Sequence, residues 1–173
     1  MNVYLIGYPS DSDWVEVKRR ALVTVGKTPV NKPDARWKHK ILEARHSPIR
    51  YLMYSFYLQD VPTWVATHLV RHHEGFQPYV KSQRNDRQSK YDRNAARQDA
   101  PVDMIVDMNA EALMTLANKR LCMQAAQETR DLVRQMCDKA QEVTPEFEGL
   151  LVPLCEYCGG GCHEMYPCGR WSE

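Results

Sequence analysis

Between His68 and Arg87 the chain reads HLVRHHEGFQPYVKSQRNDR, its densest run of groups able to bind an anion. On a helix, Trp64, His68, Arg71 and His72 follow at spacings of three and four, so one face would carry an indole, two imidazoles and a guanidinium. Such a face is costly to bury without a partner. Lys81, Ser82, Arg84 and Arg87 come next and supply the donors needed to hold a phosphate or a pyrimidine carbonyl. An anion pocket is the direct reading, and a solvated basic face is the plain alternative. Histidines at i and i+4 could also ligate a metal, but no third ligand stands at a fitting spacing.

A second group lies at the other end. Cys155, Cys158, Cys162 and Cys168 are spaced C-x2-C-x3-C-x5-C, with Gly159, Gly160 and Gly161 between the second and third. Glycines permit tight chain reversal around a small centre. The spacing fits a structural zinc site of four sulfurs, or of three sulfurs and the His163 imidazole, ahead of an iron–sulfur cluster or free or paired thiols. Cys122 and Cys137 read instead as small apolar helix residues.

The elements that must position these groups can be sketched from periodicity. Asn2 to Tyr8 alternates as a strand. Helices are expected from about Trp14 to Gly26, with Asp11, Ser12 and Asp13 as candidate caps, and over about Asp34 to Ala44. Arg50 to Leu58 (RYLMYSFYL) reads as a central strand covered on both faces or nearly so. Pro62 suits the first turn of a helix running from Thr63 to His73. A short strand follows around Tyr79 to Ser82, and one long helix is expected from Met108 to about Val143. On that helix Asn109 and Arg120 share a stripe with Leu113 and Leu116, and an arginine in an apolar stripe needs an anion, a carbonyl or an ion pair such as Glu128. The fold class is α/β in the α+β sense: a small central sheet flanked by helices, one long C-terminal helix and a Cys-rich tail. With 173 residues, 43% of them apolar, a single domain over 1–150 plus the tail 151–173 is expected.

Several of these segments together resemble the flavin-dependent thymidylate synthase family. Arg71-His72-His73, a spacer, then Ser82-x-Arg84 is similar to its Arg-His-Arg … Ser-x-Arg signature, with His73 in place of the second arginine and a spacer one residue longer. His46-Ser47-Pro48, the aromatic strand and VPTWVATHLV resemble the segment leading into that signature. NAEALMTLANKRLCMQAAQETR is similar to the family's nucleotide-binding helix, with Gln124 where many relatives have histidine and Glu111 where several have arginine. The resemblance spans about Leu42 to Arg130. It implies an FAD enzyme of reductive one-carbon transfer from methylenetetrahydrofolate to C5 of dUMP or a related pyrimidine nucleotide, with NADPH as reductant. It further implies a homotetramer with FAD between subunits. Carried over, His68, Arg71, His72, His73 and Asn109 bind the cofactor, Ser82, Arg84, Arg120 and Gln124 bind the nucleotide, and Arg120 activates the base.

A formal charge of +1 gives no global signature for nucleic acid or membrane surfaces. The absence of a signal-length or membrane-length apolar run points to a cytoplasmic protein. A catalytically inactive, metal-stabilised nucleotide- or nucleic-acid-binding module, using the arginines of Arg84 to Arg97, is the competing reading, and a structural assembly protein is the third.

Overall fold

Met53–Pro62 (β2) organises the molecule because it pairs on both edges and alternates sharply in burial: Tyr54, Phe56, Leu58 and Val61 are buried, while Met53 and Asp60 are exposed. The computed structural model describes residues 1–28, 31–88, 91–97, 99–162 and 164–171. In it, Asn2–Gly7 (β1), β2, Phe76–Val80 (β3) and Pro101–Asn109 (β4) form a four-stranded sheet in the order β1-β2-β4-β3, antiparallel throughout. Val102, Met104, Val106 and Met108 of β4 alternate in step with β2, so both strands turn one face to the core. The other face leaves Tyr4, Ile6, Tyr79 and Ile105 exposed. A bulge after Leu58 re-aims the end of β2. There Asp60 adopts φ +55° and its N–H donates to Asp103 Oδ1 at 3.1 Å.

The first two helices are set by their caps. Asp11–Val23 (α1) begins at Ser10, whose hydroxyl and the Asp13 carboxylate satisfy each other's backbone N–H groups as a capping box. Ala35–Glu43 (α2) begins at Asp34, whose carboxylate accepts from Trp37 N at 2.7 Å. Trp14, Val17, Ile41 and Leu42 are the buried residues of these helices. A 3₁₀ turn, Ser47–Tyr51, then delivers the chain into β2.

The structure corrects four expectations. The aromatic strand starts at Met53 rather than Arg50 and buries one face rather than two. The short strand is β3, ending at Val80 before Ser82. The helix after Pro62 is Thr63–Leu69 (α3), which stops at Val70, so Arg71, His72 and His73 lie on the turn beyond it. Most consequentially, the expected helix from Met108 to Val143 is β4 up to Asn109, then Ala110–Arg120 (α4), a turn, and Gln127–Val143 (α5). Cys-Met-Gln-Ala-Ala carries no glycine or proline to break a helix. The break is held from a distance by Arg130, whose Nη1 donates to the carbonyls of Met123 and Ala125.

The core continues past residue 150. Leu150 and Leu151 are buried, and Tyr54, fully buried, shares a 2.8 Å hydrogen bond with the equally buried Thr144 hydroxyl. Leu154–Tyr157 (α6) is then tied down: Tyr157 Oη donates to Glu43 O at 2.7 Å, the Arg45 guanidinium lies 4.7 Å from the Tyr157 ring, and Asn118 Nδ2 donates to Val152 O at 2.7 Å. Among the described residues, no helix is long and apolar enough to cross a membrane.

Candidate functional site

The two ends of the sequence signal converge where α3 gives way to the turn Val70–Gly75 and α4 ends. Asn109 prepares both. Its Oδ1 caps α4 by accepting from Ala112 N at 2.9 Å, and its N–H donates to Gly75 O at 3.0 Å. Gly75 must be glycine here: φ is +65°, and a Cβ would sit 2.2 Å from Asn109 Nδ2. Asn109 therefore acts first as a helix cap locked to the 70–75 turn.

At the other end of α4, Arg120 Nε donates to His72 Nε2 at 3.0 Å and Nη2 donates to the His68 carbonyl at 2.8 Å. The expected shared stripe is thus replaced by a clasp of the end of α4 onto the last turn of α3 and the turn beyond it, made to His72 and His68. Accepting that N–H requires a neutral His72. Burial pushes the imidazole down to about 4, with the Arg120 and His73 charges adding to the effect. His68 is lowered by burial and then by Arg120 and Arg71. Its Nδ1 meets Thr129 Oγ1 at 3.0 Å, and its ring packs edge-on to Trp64. Arg120 too is lowered, by burial and by the like charge of Arg71. Two guanidiniums that repel, beside two neutral imidazoles, form a place where an incoming negative charge gains most.

Two cavities meet at His72. The larger, about 720 Å³, is lined by Arg50, Arg71, His73, Glu74, Asn109 and Glu111 among others. The smaller, about 270 Å³, is lined by Lys119, Arg120, Cys122, Gln124 and Glu164. His72 is their common wall. In the larger one Arg50 Nε is hydrogen-bonded to Glu111 Oε2, and that carboxylate holds the guanidinium proton more firmly than usual. Sequence reading passed over Arg50, Glu74, Lys119 and Thr129, and nothing in their local spacing marks them. Only the fold brings them to the site.

Of the expected site residues, His68, Arg71, His72, His73, Asn109, Arg120 and Gln124 gather here. Ser82 and Arg84 line neither cavity. They sit on the exposed segment after β3, where Arg84 N donates to Ser82 Oγ at 3.3 Å and the Arg84 guanidinium forks onto Asp86 at 2.9 and 2.6 Å. They fail to join because β3 leaves the site at Phe76, beside His72, and runs along β4 to the far end of α3, where Gln83 Nε2 donates to Thr63 Oγ1 at 2.9 Å.

In the tail, Cys155, Cys162 and Cys168 line one cavity together with Cys122, whereas Cys158 is exposed and outside it. Cys137 is buried, as expected of a small apolar residue, and burial pushes its thiol up to about 12. Cys122 lies past the end of α4 and is only partly buried. His163, the alternative fourth ligand, lies outside the described residues. Among the described residues, no three His, Cys, Asp or Glu side chains stand close enough together to hold a metal as placed.

Comparison with known proteins bears on this arrangement. Residues 85–146, which include Arg120 and Gln124, match the family model described as thymidylate synthase complementing protein. Two solved structures of thymidylate synthase X from Helicobacter pylori, both with FAD and dUMP, superpose with TM-scores of 0.67 and 0.66 at 18% identity. Each match covers 87% of this chain and 99% of the other. No curated protein matches the chain significantly in sequence. The α/β fold is therefore the one seen in those structures, and the resemblance read from the sequence holds for the fold as a whole.

Proposed function

We propose that this chain is a flavin-dependent thymidylate synthase-like enzyme, catalysing reductive one-carbon transfer from methylenetetrahydrofolate to C5 of dUMP or a related pyrimidine nucleotide. The observation that carries the reading is the Arg120 clasp. Of the five N–H donors of a guanidinium, two are committed to His72 and His68, and the rest are left to serve a ligand in the smaller cavity. A uracil carbonyl there would receive charge-assisted hydrogen bonds from Arg120 and an amide contact from Gln124. Negative charge spreading onto that carbonyl as C5 becomes nucleophilic would be stabilised by a donor already fixed in place.

The larger cavity suits a phosphate-bearing cofactor by its donors: Arg71, His73 and Arg50 face it, and its volume is that of a ligand site. FAD bound there would supply the reducing equivalents, replenished from NADPH. His72, neutral and shared by both cavities, would keep the two ligands in register without adding a charge between them. Zinc in the tail, a homotetramer and a cytoplasmic location belong to the same proposal. The exposed Tyr4, Ile6, Tyr79 and Ile105 offer an apolar face for a second copy. In such an assembly Ser82 and Arg84 would serve a neighbouring copy's nucleotide phosphate. The nucleic-acid reading gains nothing from the structure, because Arg84 and Arg97 are engaged by Asp86 and Asp99.

The test is the absorbance spectrum of the FAD-reconstituted protein and its anaerobic bleaching by NADPH with and without dUMP. A bound flavin that bleaches faster with dUMP is expected. Protein that binds no flavin would overturn the redox assignment.

A further inference from the structure

We infer that the chain carries a thiolate site for one zinc-class divalent ion, with Cys122 as a ligand beside Cys155, Cys162 and Cys168, and with Cys158 outside the set. The sequence spacing alone groups the four tail cysteines. The fold regroups them, because the cavity under α6 is lined by Cys122, Cys155, Cys162 and Cys168 together with Arg170. Glu164 also lines that cavity, and Arg170 is paired there with Glu156. The cavity, about 20 Å³, has room for one ion or water. None of its cysteines is consumed in a disulfide.

Two of the four ligands stand on fixed ground. Cys122 follows α4 in the turn stitched by Arg130, and Cys155 lies on α6, anchored through Tyr157 and Asn118. The other two hang on a chain that can close. Gly159, Gly160 and Gly161 all have positive φ, and Gly169 does so after Cys168. The segment between is already drawn toward α4: Lys119 Nζ is 3.5 Å from Glu164 Oε1, and Gln124 Nε2 donates to Tyr166 O at 2.7 Å. The thiols now stand too far apart to share an ion, and binding would close them to Zn–S distances of about 2.3 Å, as expected where ligands converge only on the metal. Cys158, just past the end of α6, is exposed and lines no part of that cavity.

The test uses the full chain. Apo and zinc-loaded wild-type protein are alkylated and mapped by mass spectrometry. Zinc is expected to slow labelling of Cys122, Cys155, Cys162 and Cys168 at least tenfold and to leave Cys158 reactive, with one zinc per chain. Cys158→Ser should keep that stoichiometry and the ligand-field spectrum of its cobalt derivative. Cys122→Ser should weaken zinc binding at least tenfold and shift that spectrum. Protection of Cys158 in place of Cys122, no stoichiometric zinc, or iron and sulfide in the purified protein would each overturn the inference. The labelling arm needs no mutant and so does not depend on whether Cys122→Ser folds.

Discussion

Acidification should loosen the Arg120 clasp before it disturbs the rest of the fold. His72 is held at about 4 against an ordinary 6.5, so between those values the unfolded chain takes up a proton that the folded chain refuses. A group depressed on folding contributes stability that is present above pH 6.5 and is lost as pH falls toward 4. At about 1.4 kcal/mol per pH unit, full shielding would make the loss about 3 kcal/mol. His72 is only partly buried, and solvent screening brings this to about 1–2 kcal/mol. The assay is urea denaturation of wild type and His72→Gln across pH 4 to 7.5, alongside histidine NMR titration. Glutamine offers an acceptor oxygen to Arg120 Nε but does not titrate in this range, so its stability should fall about 1–2 kcal/mol less over that window. Arg120→Met should raise the His72 midpoint only part of the way to 6.5, because burial is the leading cause. A wild-type midpoint near 6.5, or identical pH slopes for the two proteins, would refute the reasoning.

Gly75→Ala should destabilise the fold by about 2–3 kcal/mol and lower the melting temperature by roughly 5–10 °C, since it strains a left-handed residue and displaces the side chain that caps α4. A melting point within 2 °C of wild type would contradict that. Asn109→Ala should cost about 1 kcal/mol while Asn109→Asp, which keeps an acceptor for Ala112 N, should cost clearly less; equal losses in chemical denaturation would remove the cap from the account. Tyr54→Phe leaves the Thr144 hydroxyl buried without its partner, so a loss of about 1–2 kcal/mol is expected, and an unchanged denaturation midpoint would show that Thr144 finds another partner.

What could be read from sequence was whatever local chemistry decides. The helix over about Asp34 to Ala44, the start of the helix at Pro62 and the alternation of β1 are short-range and emerged close to place. Misreadings fell where a distant residue decides. β4 was legible in principle, because Val102, Met104, Val106 and Met108 alternate with Asp103 and Asp107, but methionines suit a helix equally well and Asn109 was read as a stripe residue rather than a cap. The turn after Arg120 is written in Arg130, seven residues beyond Met123, where no propensity scale looks. In the site, the histidines and Arg120 were recognised by type and order, yet their contact with one another depends on α3 ending at Leu69. Cys122 was read as packing because the tail's return to α4 is invisible in spacing.

The sheet order has a consequence for how the chain is made. Asn2 pairs beside Gln59, 57 residues on, and Met53 beside Asn109, so the sheet is stitched across long stretches of intervening sequence. Pairings of that reach close slowly, and in vitro refolding should run in milliseconds to seconds, a range stopped-flow fluorescence of the four tryptophans would test. On the ribosome, β2 can zip onto β1 as soon as it emerges, but its other edge stays open until β4 has been synthesised. Through that interval a nascent chain presents MYSFYL as an unguarded template for strangers, and only the arrival of β4 removes it.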